Sequence, residues 1–291
     1  MRKFFCALLA ISCTSHVLAQ QLPTAFKSQE VSPGIYVLEG EDGFGGGNVG
    51  LLVGDDYVVL IDDAMYSTVG LLIDAATQLA GRPVDFVINT HVHGDHVGGN
   101  EFVADLGAII VAHDNSRKRM IPDPQLNTGP GALPVLTFSD KVTFHINGDE
   151  AFVFHIKNAH TDGDAAILFR NANVIAAGDV MFNYLFPFID LDSGGSVSGY
   201  IAGQQKLLAM ANDETVIIPG HGPVASKADL ETNLKVLIDA KARVKVLVDK
   251  GLNADEIVAA NPLDLYHDDY NWGFITTERM TRTLIRSLTG K

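Results

Sequence analysis

Residues 91–96 read His91-Val92-His93-Gly94-Asp95-His96, set between an apolar run, Phe86 to Asn89, and the glycines Gly98 and Gly99. Four side chains able to ligate a metal fall within these six residues. Imidazole and carboxylate donors together suit zinc and similar divalent ions, and a loop lets alternate residues turn toward one point. Further along, three more apolar runs each lead into another donor: Phe152 to Ile156 into His160, Val174 to Ala177 into Asp179, and Val216 to Ile218 into His221. In α/β sheets ligands gather in the loops beyond the carboxyl ends of strands, so these four deliveries are expected to meet at one edge of the fold.

The runs themselves are apolar on both faces. Val58-Val59-Leu60-Ile61, Phe86-Val87-Ile88, Ile109-Ile110-Val111, Val174-Ile175-Ala176 and Val216-Ile217-Ile218 read as interior strands of covered sheets. Between them lie helical spacings, Val69, Leu72, Ile73, Ala76 and Leu79 in one segment and Leu230, Leu234, Leu237, Ile238 and Val244 in another. The class is α/β with helices outside. Strand and helix alternate from about Ile35 to Val224 with no compositional break, which points to one domain over residues 20–291 with a C-terminal helical segment from about residue 226. Gly40 to Asn48 stands apart, because Gly43, Gly45, Gly46 and Gly47 surround Phe44. It reads equally as a mobile loop with one apolar contact point and as a flexible hairpin turn.

The N-terminus has the form of an export signal over residues 1–19: basic Arg2 and Lys3, an apolar stretch from Phe4 to Ile11, and Val17-Leu18-Ala19 before Gln20. A lipid-attachment reading at Cys13 is weaker, since Ala10-Ile11-Ser12 is a poor signal for it. Cleavage after Ala19 would place the protein in the periplasm or outside the cell and remove both cysteines, Cys6 and Cys13. The chain has 291 residues with 47% hydrophobic content, enough for a large core, and carries 35 acidic against 21 basic side chains. Loss of Arg2 and Lys3 makes it more acidic still. Such a surface repels phosphate backbones and anionic lipid, so nucleic-acid and membrane partners are not expected and a small-molecule substrate is. The composition leaves the oligomeric state open.

With these residues in place, the sequence resembles a family. His91-x-His93-x-Asp95-His96, Ala159-His160-Thr161-Asp162-Gly163-Asp164, Gly178-Asp179 and Gly220-His221-Gly222 look like the ordered motif set of the metallo-β-lactamase superfamily, over roughly Ile35 to Val224. The resemblance implies a four-layer αββα sandwich with a metal site at one edge. It also implies two Zn2+ ions, with iron or manganese as alternatives: one held by His91, His93 and His160, the other by Asp95, His96 and His221, and Asp179 bridging them. A water shared by two such ions loses a proton near neutral pH and attacks a carbonyl, without a Ser or Cys nucleophile. Asp95 then takes a second, catalytic role, orienting the attacking water and moving a proton to the leaving group. Val58 to Asp62 resembles the family's early strand ending in a structural Asp, and Asp164 and Thr161 are candidates for outer hydrogen bonds.

The remaining histidines, His16, His113, His145, His155 and His267, lack a ligand partner at useful spacing, and among them only His113 is a candidate for an outer bond. After Asp179 come Phe182, Tyr184, Phe186, Pro187 and Phe188, then Asp190 and Ser193-Gly194-Gly195-Ser196. These suggest an aromatic wall over the metals and a backbone or hydroxyl contact for a substrate carboxylate. Tyr266, Tyr270 and Trp272 pack a C-terminal helical segment or meet another subunit.

The superfamily's site serves lactam, thioester, lactone, phosphodiester and redox chemistry, so membership leaves the substrate open. Many classical β-lactamases of the superfamily carry Cys where Asp179 stands, and Asp179 looks instead like the dinuclear hydrolases. The two-iron redox branch usually has Glu where His93 stands, the acidic charge disfavours the nuclease branch, and a mononuclear iron persulfide oxidase is distinguished by metal content. The reading is an exported dinuclear zinc hydrolase of a small carbonyl substrate, a β-lactam-like amide, lactone or ester, with β-lactamase activity among its expected reactions. The alternatives are a thioester hydrolase of the glyoxalase II type and a noncatalytic zinc-stabilised binding protein.

Overall fold

The computed structural model describes residues 21–290. Residues 1–19, expected from sequence to be an export signal, and with them both cysteines therefore lie outside the described residues. The first sheet has seven strands in the order β1 (Ala25–Ser32), β2 (Ile35–Glu41), β3 (Val49–Val53), β4 (Val58–Ile61), β5 (Phe86–Ile88), β6 (Ile109–His113) and β7 (Leu136–Phe138). β1 to β4 form an antiparallel meander, and β4 to β7 run parallel. Parallel neighbours need crossovers, supplied here by α1 (Val69–Ala80), by α2 (Gly94–Val97) with α3 (Asn100–Asp105), and by α4 (Asp114–Met120). The second sheet runs β13 (Ala225–Ser226), β12 (Val216–His221), β11 (Val174–Phe182), β10 (Ala165–Phe169), β9 (Asp149–His155), β8 (Lys141–Ile146), with β11 and β12 parallel across α5 (Val197–Met210). α6 (Lys227–Asp249), α7 (Ala254–Ala259), α8 (His267–Tyr270) and α9 (Thr277–Thr289) follow.

Side-chain alternation along each strand builds the layers. In β4, Val59 and Ile61 face the second sheet, meeting Val153, Ile167, Val174 and Ile218 in a core between the sheets. Val58 and Leu60 face the other way and pack with Leu72 and Ala76 of α1 and Val103 of α3. On the far side, Ile175, Ala177 and Ile217 pack against Tyr200 and Leu207 of α5, Leu230, Leu237 and Val244 of α6, and Met280 and Leu284 of α9. The fold is an αββα sandwich. Because β4, β10 and β11 are buried at every position, β4 and β10 read as unbroken apolar runs and β11 as one interrupted by Gly178 and Asp179. α1 buries Val69, Leu72 and Ala76 on one stripe and stops at Gly81, whose φ of 69° only glycine adopts cheaply.

The expected strand-helix alternation holds from β4 to β7 and from β11 to β12 only. β1 is exposed on both faces from Lys27 to Glu30 and β8 is only partly buried, with polar Lys141, Thr143 and His145, so their sequences lack the continuous apolar signature.

Candidate metal centre

All seven donor side chains converge at the edge where the strands end. His91, His93, His160 and Asp179 form one group and Asp95, His96 and His221 a second, with ligand atoms within 4.8 Å of one another inside each group. Two of the deliveries differ from expectation. Asp179 and His221 lie within β11 and at the last position of β12 rather than in loops, and the β11–β12 register slips between Ala176 and Gly178 and again before Phe182. Those irregularities turn Asp179 toward the site. Its carboxylate rests on the β12 backbone, where a Cβ on Gly220 would stand 2.0 Å from Oδ1. Only glycine fits there.

Asp179 sits between the groups. Its Oδ2 faces His160 Nε2 at 3.3 Å and His91 Nε2 at 3.7 Å, while its Oδ1 faces His96 Nε2 at 3.1 Å and His221 Nε2 at 3.5 Å. Asp95 Oδ2 completes the second group, 3.3 Å from His221 Nε2 and 3.6 Å from His96 Nε2. His160 Nε2 and His93 Nδ1 are 2.8 Å apart, and His96 and His221 Nε2 are 3.4 Å apart.

Outward hydrogen bonds set the tautomers. His91 Nδ1 donates to Thr90 Oγ1, whose own proton goes to Asp62 Oδ2; His96 Nδ1 donates to the same Asp62 oxygen at 2.8 Å. His160 Nδ1 donates to Phe188 O at 2.7 Å, and His93 Nε2 to Asp190 Oδ2 at 3.0 Å. Each ring therefore aims its other nitrogen inward. Among the described residues, buried His91 Nε2 and Asp179 Oδ1 have no hydrogen-bond partner. Inward lone pairs, two carboxylates and orphaned buried donor atoms are a set that suits cations, and the residues fit a pair of divalent ions.

The electrostatics agree. Burial lowers the pKa of His91 well below its usual value and that of His160 to about 4, so both are neutral near pH 7. Burial works against Asp95, yet His96 and His221 bring it down to about 2, and His96, His221, His91 and His160 together hold Asp179 ionised despite its burial. Burial also disfavours charge on His96, but Asp179, Asp95 and Asp62 outweigh it and raise its pKa well above the usual range. A divalent cation among the same carboxylates would displace that proton.

The outer residues anticipated from sequence hold backbone as well as side chains. Asp62, at the end of β4, accepts from Thr90 N at 2.7 Å. Asp164 accepts from His160 N and from the N–H and hydroxyl of Thr161, shaping the loop that presents His160, while burial pushes its pKa up to about 8. His113 makes no bond to the cluster; it accepts from Asn115 N, donates to Ser139 O and stacks on His155 at 3.9 Å. Gly43 to Gly47 is tied to its surroundings by hydrogen bonds and close packing. Thr68 Oγ1 donates to Gly45 O, Gly47 N donates to Asp95 O, and a Cβ on Gly47 would lie 2.2 Å from His96 Cε1.

His93 and Asp95 are 22% and 27% exposed, whereas His91, His96, His160, Asp179 and, marginally, His221 are buried, so the mouth opens over His93 and Asp95 with His221 at its margin. Phe182 and Phe44 stack on His221 at 4.9 and 6.1 Å, and Phe188 stacks on His93 at 5.4 Å. The other expected wall residues are elsewhere: Phe186 is buried against Tyr270, and the Tyr184 hydroxyl bonds Asp229. Trp272 joins the rim instead, 6.2 Å from His221, with Nε1 donating to Phe186 O. Ser193-Gly194-Gly195-Ser196 is spent on structure, because Ser193 N bonds Asp190 Oδ1, Gly195 N bonds Asp190 O and Ser196 caps α5. Sequence reasoning missed the bond of Asp190 to His93 and the place of Trp272; neither has a local signal, since both act across large sequence separations.

Comparison with known proteins agrees with this architecture. The model of the metallo-beta-lactamase superfamily matches residues 42–221. A protein of Bacillus subtilis (strain 168) named "Probable metallo-hydrolase YqgX" is 27% identical over 184 residues, 60% of this chain and 85% of that one. A hydroxyacylglutathione hydrolase of a Polaromonas species is 29% identical over 150 residues, and the alignment takes in 50% of this chain and 52% of the relative. The chain thus spans about half the length of that relative. Among solved structures, a metallo-beta-lactamase from Pontibacter korlensis superposes with a TM-score of 0.61 at 19% identity, covering 74% of this chain and 99% of the other. That likeness is one of fold.

Proposed function

The chain belongs to the metallo-beta-lactamase superfamily, and on that premise we propose that it is an exported hydrolase that holds two divalent cations, zinc foremost, and cleaves the carbonyl of a small amide, lactone or ester. The observation that carries the reading is Asp179, one carboxylate whose two oxygens each face a different cluster of histidines. When bound, two such ions polarise a carbonyl and acidify a water at neutral pH. The first group would be His91, His93 and His160, the second Asp95, His96 and His221.

The chain's own residues do the rest. Asp95 lies at the mouth, and a carboxylate with a pKa of about 2 is a weak base. Its part is therefore to accept a hydrogen bond from the attacking water, fix its direction and pass the proton to a more basic leaving group. Phe44, Phe188 and Trp272 flank the mouth with apolar surface suited to an apolar acyl group, while buried Phe182 backs the His221 ring from within the fold. The export-signal form of residues 1–19 supports a periplasmic or secreted location, where β-lactams, lactones and small esters are met. A thioester substrate is the second reading, favoured by the 29% identity to a hydroxyacylglutathione hydrolase.

The test is metal content followed by turnover. The zinc-loaded protein is expected to bind two ions and hydrolyse a chromogenic cephalosporin or a p-nitrophenyl ester, with chelation abolishing the rate and Asp95→Asn lowering kcat by about 10²–10⁴-fold. A full complement of metal with an unchanged rate in the variant would remove Asp95 from the mechanism; thioester turnover alone would select the second reading.

A further inference from the structure

Beside the mouth, a cavity of about 300 Å³ lies between the segment after Phe188 and α9, lined among others by Phe188, Asp190, Asp192, Arg279, Arg282 and Arg286. Three arginines in one cavity are notable on a chain with 35 acidic and 21 basic side chains. Two of them are spoken for. Arg286 pairs with Asp192, and Arg282 with Glu278 and Asp255. Asp190 is engaged by His93 and by the backbone of Ser193.

Arg279 is different. Its Nη1 donates to Phe274 O, and among the described residues no carboxylate pairs with it. A guanidinium has five donors, so most of its hydrogen-bonding capacity faces outward. Its position is defined nonetheless, because its Cζ lies 4.2 Å from the centre of the Phe274 ring and 5.3 Å from that of Phe188. Phe188 is the ring that stacks on His93. The cation therefore stands one aromatic ring away from a member of the metal cluster, beside the Phe274 and Phe188 rings of an apolar strip that continues to Trp272.

We propose that Arg279 receives a carboxylate carried by the substrate while Phe188, Phe274 and Trp272 hold the substrate's apolar body, so that the preferred substrates are aryl or alkyl acyl compounds bearing an anion remote from the scissile carbonyl. The proposal rests on the hydrolase reading of the adjacent site. It places the anion on α9, since the Ser193 to Ser196 run is occupied within the fold. Arginine suits the task because its planar fork binds a carboxylate with two parallel hydrogen bonds.

The test reads binding directly. Phenylacetate and the neutral phenylacetamide are titrated into the zinc-loaded protein while the emission of Trp272, the one tryptophan of the chain, is followed. Phenylacetate is expected to bind more tightly than the amide. Arg279→Gln is expected to weaken phenylacetate by about tenfold or more, the value of a charged hydrogen bond, and Arg279→Lys to weaken it less. Unaltered phenylacetamide affinity in Arg279→Gln shows that the aromatic strip is intact. Equal phenylacetate affinity in wild type and Arg279→Gln, equal affinity for acid and amide, or no saturable binding of either overturns the proposal. Arg279-dependent binding without turnover of any acyl substrate would retire the hydrolase reading alone, whereas turnover with Arg279-independent binding would retire this one alone.

Discussion

His93 is held from both sides, by Asp190 Oδ2 on its outer nitrogen and by the cluster on its inner one. The outer carboxylate keeps the proton on Nε2, which leaves the Nδ1 lone pair facing inward. Asp190→Ala is expected to weaken metal affinity at the first group by about 10–100-fold, measured by competition with a chromogenic chelator. Unchanged affinity would mean that packing on Phe188 alone orients the ring. Asp62 does the same for His96 while also fixing Thr90. The two carboxylates differ in how they could be found. Asp62 ends an apolar strand and is visible in the sequence, whereas Asp190 reaches a partner 97 residues away through a turn with no signature of its own.

The elements around the site owe their placement to contacts of that kind and to their ends. α6 begins with a capping box: Ser226 Oγ accepts from Asp229 N, and Asp229 Oδ2 accepts from Ser226 N. Burial works against the Asp229 carboxylate, but the Tyr184 hydroxyl and Ser226 lower its pKa below the usual value. A depressed carboxylate stabilises the fold fully above the unfolded-state value, about 4, and that stabilisation is lost as pH falls through the folded value. Thermal unfolding of Asp229→Asn is therefore expected to show a lower Tm than wild type at pH 7 and a smaller further drop below about pH 4. Equal acid sensitivity in both proteins would assign the acid loss to other groups. On the opposite side of the site, Gly47→Ala is expected to push His96 out of place and lower both Tm and zinc affinity, because the new Cβ would meet the imidazole at 2.2 Å. Retention of both would show that the loop can move.

At the level of the entire chain, the segments after β5 and β9, the interior of β11 and the end of β12 contribute from two sheets to a single cluster, so cation binding and folding are coupled. Removing metal from the loaded protein should lower Tm, since a ligand present at about 1,000 times its Kd stabilises by about 4 kcal/mol per site. A Tm indifferent to chelator would mean that the cluster is organised by packing and hydrogen bonds alone. Local pattern was sufficient for much of the rest. Runs such as Val58 to Ile61 and Val174 to Ala176 are apolar at every position because both faces of their sheets are covered, and that burial writes the interior strands directly into the residues. The same holds for the donor motifs, which carry their chemistry in residue type and spacing. Three-dimensional packing alone decided the remainder: that Gly47 lies against His96, that Ser193 to Ser196 is bound to Asp190 and caps α5, that Trp272 lies on the rim, and that Arg279 stands beside Phe188 with no carboxylate partner among the described residues. Each depends on a contact between segments far apart in the chain, and local periodicity holds no information about which distant surface a side chain will meet.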